Sequence, residues 1–182
     1  MNDEALADIE MWLQFLESFN GVTYFLPSVW QSSSVIHFYT DSAKSTGFAG
    51  YFKGSYIQGT WASIAVSPRN SIAYLEYVPV LLSLLVWGKQ LANSKIVFHS
   101  DNQAVVSILN RQSSKCPHLM KLVRRLTLTC MKHNIVLKGA YIEGLRNSIA
   151  DSLSRFDMKK FFQEVPTADP HPTPYAKFLP LV

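Results

Sequence analysis

Apolar positions along this chain change their period several times, and each change marks a new element. In residues 5–18, "ALADIEMWLQFLES", Ala5, Ile9, Leu13 and Leu16 recur at helical spacing with Trp12 and Phe15 beside them. That pattern predicts an amphipathic helix, stopped by Asn20 and Gly21. "VTYFLPSVW" follows as an extended piece broken by Pro27. A β-branched and aromatic run at 35–40 predicts a strand ending on Asp41. "GFAGYFKGSYIQGTWASIAV" then reads as two more strands around a turn at Gly54 and Ser55, so the first three strands make an antiparallel meander.

After "SPRN" the period becomes helical from about 71 to 91, with Pro79 marking either the true start or a kink. "KIVFHSD" is a short strand ending on Asp101, and "NQAVVSILN" is a helix. "PHLMKLVRRLTLTCMKHN" is a longer helix with Pro117 near its start and Leu119, Leu122, Val123, Leu126 and Cys130 on one face. "IVLKGAYI" is the last strand, and "GLRNSIADSLSR" supplies a turn and a final helix. This order predicts an α/β domain, a mixed sheet covered by helices. It divides the chain into an N-terminal helix and connection (1–34), a domain (35–156) and a proline-rich tail (157–182). In the tail Pro166, Pro170, Pro172, Pro174 and Pro180 argue for an extended segment.

Composition narrows the class. Of 182 residues, 48% are apolar and 16% charged, which excludes a disordered chain. The longest apolar run, 78–88, is too short to span a bilayer, and no membrane is expected among its partners. The first residues are acidic where a secretion signal would be basic, and Cys116 and Cys130 form no Cys-x-x-Cys pair. An intracellular setting, cytoplasmic or nuclear, is expected.

Charge changes the picture more. The net +4 conceals five acids and no base in residues 1–17, against fourteen Lys or Arg and five acids in 18–156. An average segment of that length would hold roughly three times as many acids. A cationic surface for solubility is one explanation; a polyanionic partner, most simply nucleic acid, accounts for both the excess and the deficit.

Four of the five acids left in 18–156 fall near element ends: Asp41, Glu76, Asp101 and Asp151. Singly, each has an ordinary role. Asp151 suits a helix N-terminus, and Asp41 and Asp101 suit turns. Glu76, however, sits in "IAYLEYVPVLL", where its neighbours are apolar. Clustered carboxylates persist in ionised form when cations lie among them, and oxygen-only donors select Mg²⁺ or Mn²⁺ over zinc. For a phosphodiester the matching chemistry is two-metal hydrolysis, with ions about 3.5–4 Å apart.

"FYTDSA", "YLEYVPVLLSLLVWG", "FHSDNQAVV" and "YIEGLRNSIADSLSR" together resemble the ribonuclease H domain of retrotransposon reverse transcriptases, of the gypsy type and more closely the DIRS group. The resemblance covers roughly 35–156, and its most specific part is Asn-x-x-Ala-Asp-x-Leu-Ser-Arg at 147–155. It implies a ribonuclease H-like fold with a five-stranded mixed sheet, three strands antiparallel and then two parallel. It further implies Asp41, Glu76, Asp101 and Asp151 as ligands of two Mg²⁺ ions, with Mn²⁺ an allowed substitute, and hydrolysis of the RNA strand of RNA/DNA hybrids. A polymerase domain of the same polyprotein is the implied partner. Gln103 matches a position that contacts the hybrid in cellular relatives; an ordinary exposed helix residue is the other reading. Lys121, Arg124, Arg125 and Lys132 either track phosphates or form the solvated face of their helix. One departure stands out: relatives carry a histidine ten residues before the last Asp, where this chain has Tyr141, so weakened activity is expected. Glu143 in the same loop is either a partial substitute or a plain loop charge. A nucleic-acid-binding or polymerase-stabilising module with decayed catalysis, and another nuclease or transposase on the same fold, are the competing readings.

Overall fold

A computed structural model describes residues 2–22, 24–64 and 71–182. Residues 65–70, where the pattern puts a strand end and a connecting turn, lie outside the described residues. In chain order the elements are α1 (Asp3–Leu16), β1 (Gln31–Ser32), β2 (Phe38–Ala43), β3 (Gly47–Phe52), β4 (Ser55–Thr60), α2 (Ile72–Trp87), β5 (Ser94–Ser100), α3 (Gln103–Arg111), α4 (Pro117–His133), β6 (Ile135–Tyr141), α5 (Ser148–Ser154) and α6 (Met158–Glu164).

The architecture is mixed α/β, but the strands do not join into one five-stranded sheet. Among the described residues they form an antiparallel sheet, β2-β3-β4, and a parallel one, β1-β5-β6. The cause lies in residues 33–37, which turn instead of extending. The Ser32 carbonyl accepts from the N–H groups of Val35 and Ile36, the Phe38 N–H donates to Ser33, and His37 adopts φ +51°. The Ser33 N–H still reaches the Val97 carbonyl of β5 at 2.8 Å, but these other backbone groups, which a continuous strand would offer outward, are consumed locally. β1 takes that place, with Gln31 opposite Ile96 and Ser32 opposite Val97. The expected strand at 35–40 consequently starts at Phe38 and runs past Asp41 to Ala43, so Asp41 lies inside it. The two sheets meet where the Phe38 ring stands 5.2 Å from that of Phe98.

α2 is apolar all round and is the central helix, with residues 78–84 buried throughout. Its N-cap is Ser71, whose hydroxyl accepts from the Tyr74 N–H, so Pro79 neither starts the helix nor stops it. Burial outweighs the one intrahelical hydrogen bond that proline removes. β3 approaches α2 closely at Gly50, where a Cβ would collide with the Ser83 Oγ. That hydroxyl is buried without a hydrogen-bond partner among the described residues. Gly50→Ala is expected to cost about 1–3 kcal/mol in a denaturant titration. Adding Ser83→Ala should restore part of the loss; no recovery would mean that the collision is not the cause.

The outer face of the antiparallel sheet carries a second core, Ala49, Tyr51 and Tyr56 against Leu153 of α5 and Phe161 of α6. Covering on both faces explains why every residue of β3 is buried. The proline-rich residues 157–182 lie against the domain. α6 is capped by Asp157 and buries Phe161, and a 3-10 turn spans Ala176–Leu181. Between them the chain runs along β4: the Asp169 N–H donates to the Gly54 carbonyl, the Thr173 N–H to that of Tyr56, and the Ser55 hydroxyl to the Asp169 carboxylate. Tyr175 then packs edge-on against Phe48 at 5.7 Å.

α1 behaves differently from its amphipathic pattern. None of its residues is buried, and Leu6, Ile9, Leu13 and Leu16 are 41–56% exposed. The helix is held to α4 through its opposite, acidic side.

Candidate metal centre

Three carboxylates from three distant parts of the chain converge where the two sheets meet. Asp41 comes from the interior of β2, Glu76 from the second turn of α2, and Asp101 from the residue after β5. One carboxylate oxygen from each lies within 4.8 Å of the others. Ligand oxygens on opposite sides of one ion sit about 4.2 Å apart for Mg²⁺ and about 4.8 Å for longer Ca²⁺-type bonds. The donor set thus fits a hard divalent cation. Asp41 is buried, Glu76 half-buried and Asp101 exposed, so the group opens to solvent on the Asp101 side.

Their electrostatics agree with a site short of positive charge. Burial pushes the Glu76 carboxyl up from its ordinary 4.5 to about 8, and nearby Asp41 and Asp101 add to the shift against hydrogen bonding from Ser42. Asp41 is raised as well, first by burial and then by Asp101 and Asp151, while the Ser154 hydroxyl and Arg155 work in the opposite direction. A cation among these groups would favour their ionised forms.

Asp151 is near but apart. It lies on α5, close enough to raise Asp41, yet it is not one of the converging three. Its carboxylate accepts from the Arg155 Nε at 2.6 Å, one helical turn on. Gln103 opens α3, exposed, two residues beyond Asp101. Tyr141 ends β6 opposite Ser100 and is 53% exposed, and the Ile142 N–H donates to the Ser100 carbonyl. The loop it begins returns to the site at Gly144, where a Cβ would stand 3.1 Å from Asp101 Oδ2. Glu143 in that loop is exposed.

The basic residues of α4 divide. Arg124 is not free to track a phosphate: it donates to Glu4 at 2.6 Å and Asp8 at 2.7 Å, and only 12% of its side chain is exposed. Lys121 and Arg125 line the same α1–α4 cleft, together with Asp3 and Glu10. Lys132, nearer the end of α4, is exposed.

Residue types alone did not pick out the supports of the site. The Asn147 amide donates to the Thr40 carbonyl at 2.9 Å, Ser154 bonds Asp41, and Ser42 bonds Glu76. Asn147 and Ser154 belong to the Asn-x-x-Ala-Asp-x-Leu-Ser-Arg stretch, and that was the available signal. Both cysteines are free thiols, and among the described residues no helix is long and apolar enough to cross a membrane. No protein-family model matches the chain, and no curated protein matches it.

Proposed function

We propose that this chain is a divalent-ion-dependent nuclease of the ribonuclease H type, which hydrolyses the RNA strand of RNA/DNA hybrids during reverse transcription of a retroelement. The observation that carries the reading is the convergence of Asp41, Glu76 and Asp101 in a region otherwise almost without acids. Mg²⁺ is the proposed ion, with Mn²⁺ able to replace it, and Asp151 completes the ligand set for a second ion. When bound, the ions supply Lewis-acid stabilisation of the phosphate and activation of the attacking water. The protein's own part is to hold the four carboxylates and to orient the hybrid. Gln103 is proposed to contact the hybrid's minor groove beside Asp101, where 2′-hydroxyls distinguish RNA from DNA. Lys121 and Arg125 are proposed to contact its backbone. The products are a 3′-hydroxyl and a 5′-phosphate. The open stripe Leu6, Ile9, Leu13 and Leu16 on α1 is proposed to face a polymerase domain of the same polyprotein.

The test is cleavage of a labelled hybrid with and without Mg²⁺, run beside duplex DNA and duplex RNA. Ion-dependent cutting of the hybrid's RNA strand supports the reading. Preference for either duplex would assign another nuclease activity to the same groups.

A second reading, a nucleic-acid-binding or polymerase-stabilising module without catalysis, is favoured by Asp151 being tied to Arg155 and by Tyr141 standing at the loop position. Titrating Mg²⁺ or Mn²⁺ against thermal stability separates the two, because ion binding to the folded state raises the unfolding temperature. An unchanged melting curve would favour the second reading.

The pairing of α1 with α4 adds an expectation under either reading. Glu4→Gln with Asp8→Asn releases Arg124, so hybrid binding should tighten. Its log–log salt dependence should steepen by about 0.9, the slope expected for neutralising one more phosphate. An unchanged slope would show that Arg124 meets no phosphate once freed.

A further inference from the structure

Asp41 is a buried carboxylate on a strand, and its orientation is set from outside its own sheet. Ser154, the last residue of α5, is fully buried, and its hydroxyl donates to Asp41 Oδ2 at 2.5 Å across a sequence separation of 113. The same hydroxyl lies 3.0 Å from the carbonyl of Asp151. A hydroxyl carries one proton, so it donates to one of these acceptors at a time, and the shorter, charge-assisted bond to an ionised Asp41 is the stronger.

Two further bonds bracket this pairing. The Asn147 amide donates to the carbonyl of Thr40, one residue before Asp41, at 2.9 Å. The Gln58 amide of β4 donates to the carbonyl of Leu153, one residue before Ser154, at 2.6 Å. Ala150 and Leu153, both fully buried, fill the space between α5 and the sheet. Ser154 is therefore held in register with Asp41 by the backbone on both sides.

The two acids nearest α5 are also treated differently. Asp151 is paired directly with the Arg155 guanidinium, whereas the direct hydrogen-bond partner of Asp41 is a neutral hydroxyl and Arg155 acts on it only through its field. A hydroxyl orients a carboxylate and occupies one of its acceptor sites without cancelling its charge. Asp41 is thus oriented and keeps its charge, with one carboxylate oxygen within 4.8 Å of those of Glu76 and Asp101.

We propose that Ser154 is a positioning residue for the candidate metal centre: its hydroxyl fixes the Asp41 carboxylate in the single orientation in which it meets a divalent ion beside Glu76 and Asp101. This rests on reading those three acids as an ion site. Removing an outer partner of a metal ligand typically weakens metal binding about 10- to 100-fold.

The experiment compares the full chain with its Ser154→Ala variant. Mn²⁺ and Mg²⁺ are titrated separately by calorimetry and by thermal unfolding, and hybrid cleavage is followed over the same ion range. The expected result is ion binding about 10- to 100-fold weaker in S154A, with cleavage recovering as the ion concentration is raised. A serine that merely fills space would lower ion-free stability or cleavage at every ion concentration and leave the ion midpoint unchanged, and that result overturns the proposal. Where S154A does not fold, Ser154→Thr and Ser154→Val, alike in shape and different in the hydroxyl, replace it. Thr should then keep the wild-type midpoint and Val should lose it; equal midpoints would overturn the proposal. Failure of the wild-type chain to take up either ion defeats the ion site itself, and the role of Ser154 falls with it.

Discussion

Asp41→Asn is expected to lower Mg²⁺-dependent hybrid cleavage by about 1000-fold or more, the loss of several kcal/mol of metal-borne transition-state stabilisation. The same substitution should leave the ion-free protein as stable as the wild type or more so. It removes a buried negative charge whose neighbours include Asp101 and Asp151, and the Asn side-chain oxygen still accepts from Ser154. Added Mg²⁺ should then give little or no rise in melting temperature. Asp101→Asn is expected to act alike on cleavage and ion response. A dead but stable variant points to a lost ligand, whereas a dead and unfolded one would only report damage to β2. Cleavage by either variant at the wild-type rate would remove these residues from the chemistry.

The second large effect is on stability against pH. Glu76 titrates at about 8 in the folded protein against an ordinary 4.5. Between those values the folded chain keeps a proton that the unfolded chain has released, so the unfolded state binds fewer protons and stability falls as pH rises. The contribution is fully present below pH 4.5 and is lost as pH passes 8. Asp41, shifted in the same direction, adds to the fall. Without divalent ions, unfolding free energies from urea titrations should therefore decline from about pH 5 to about pH 8.5, by a few kcal/mol in total. Saturating Mg²⁺ should flatten the decline, because the ion competes with the proton for the same oxygens. Glu76→Gln should remove most of the slope. A flat profile in EDTA, or a slope that survives in the Gln variant, would contradict the assignment.

The periodicity of the chain was enough to locate α2, α3, α4 and strands β3 to β6, because each is long or strongly patterned and its burial agrees with its pattern. It misjudged 33–37. Val35 and Ile36 are good strand formers, but Ser32 and Ser34 bond each other across a turn and Val35 ends 73% exposed. Local hydrogen bonding there overrode propensity, and the split between the two sheets follows from it. The prolines of 166–180 interrupt regular structure, but Tyr175 and Phe178 pack on the main core and bring that segment back.

At the site, the scarcity of acids made Asp41, Glu76 and Asp101 legible before any fold was known. Asp151 stands apart from these three because Arg155, four residues on, is at a spacing where opposite charges pair, and that pairing is visible in the sequence as well. Arg124 looked like part of a cationic face because the acids that neutralise it lie more than a hundred residues earlier in the chain. Ser154 carries no signal as a residue type, since serines near helix ends are ordinary and only the fold brings this one to Asp41.

The course of residues 166–175 along β4 has a consequence for how copies of this protein meet. A bare outer strand offers a row of donors and acceptors to any passing chain, a common route to aggregation. Here that margin is closed by a segment in which Pro170, Pro172 and Pro174 alternate with other residues and have no N–H to offer. The covering strap accepts its place on the sheet but cannot seed another strand beyond itself, so the sheet ends there. Cutting the chain after residue 156 would strip away this terminator along with Phe161, leaving a unit that keeps the carboxylates and acquires an adhesive flank.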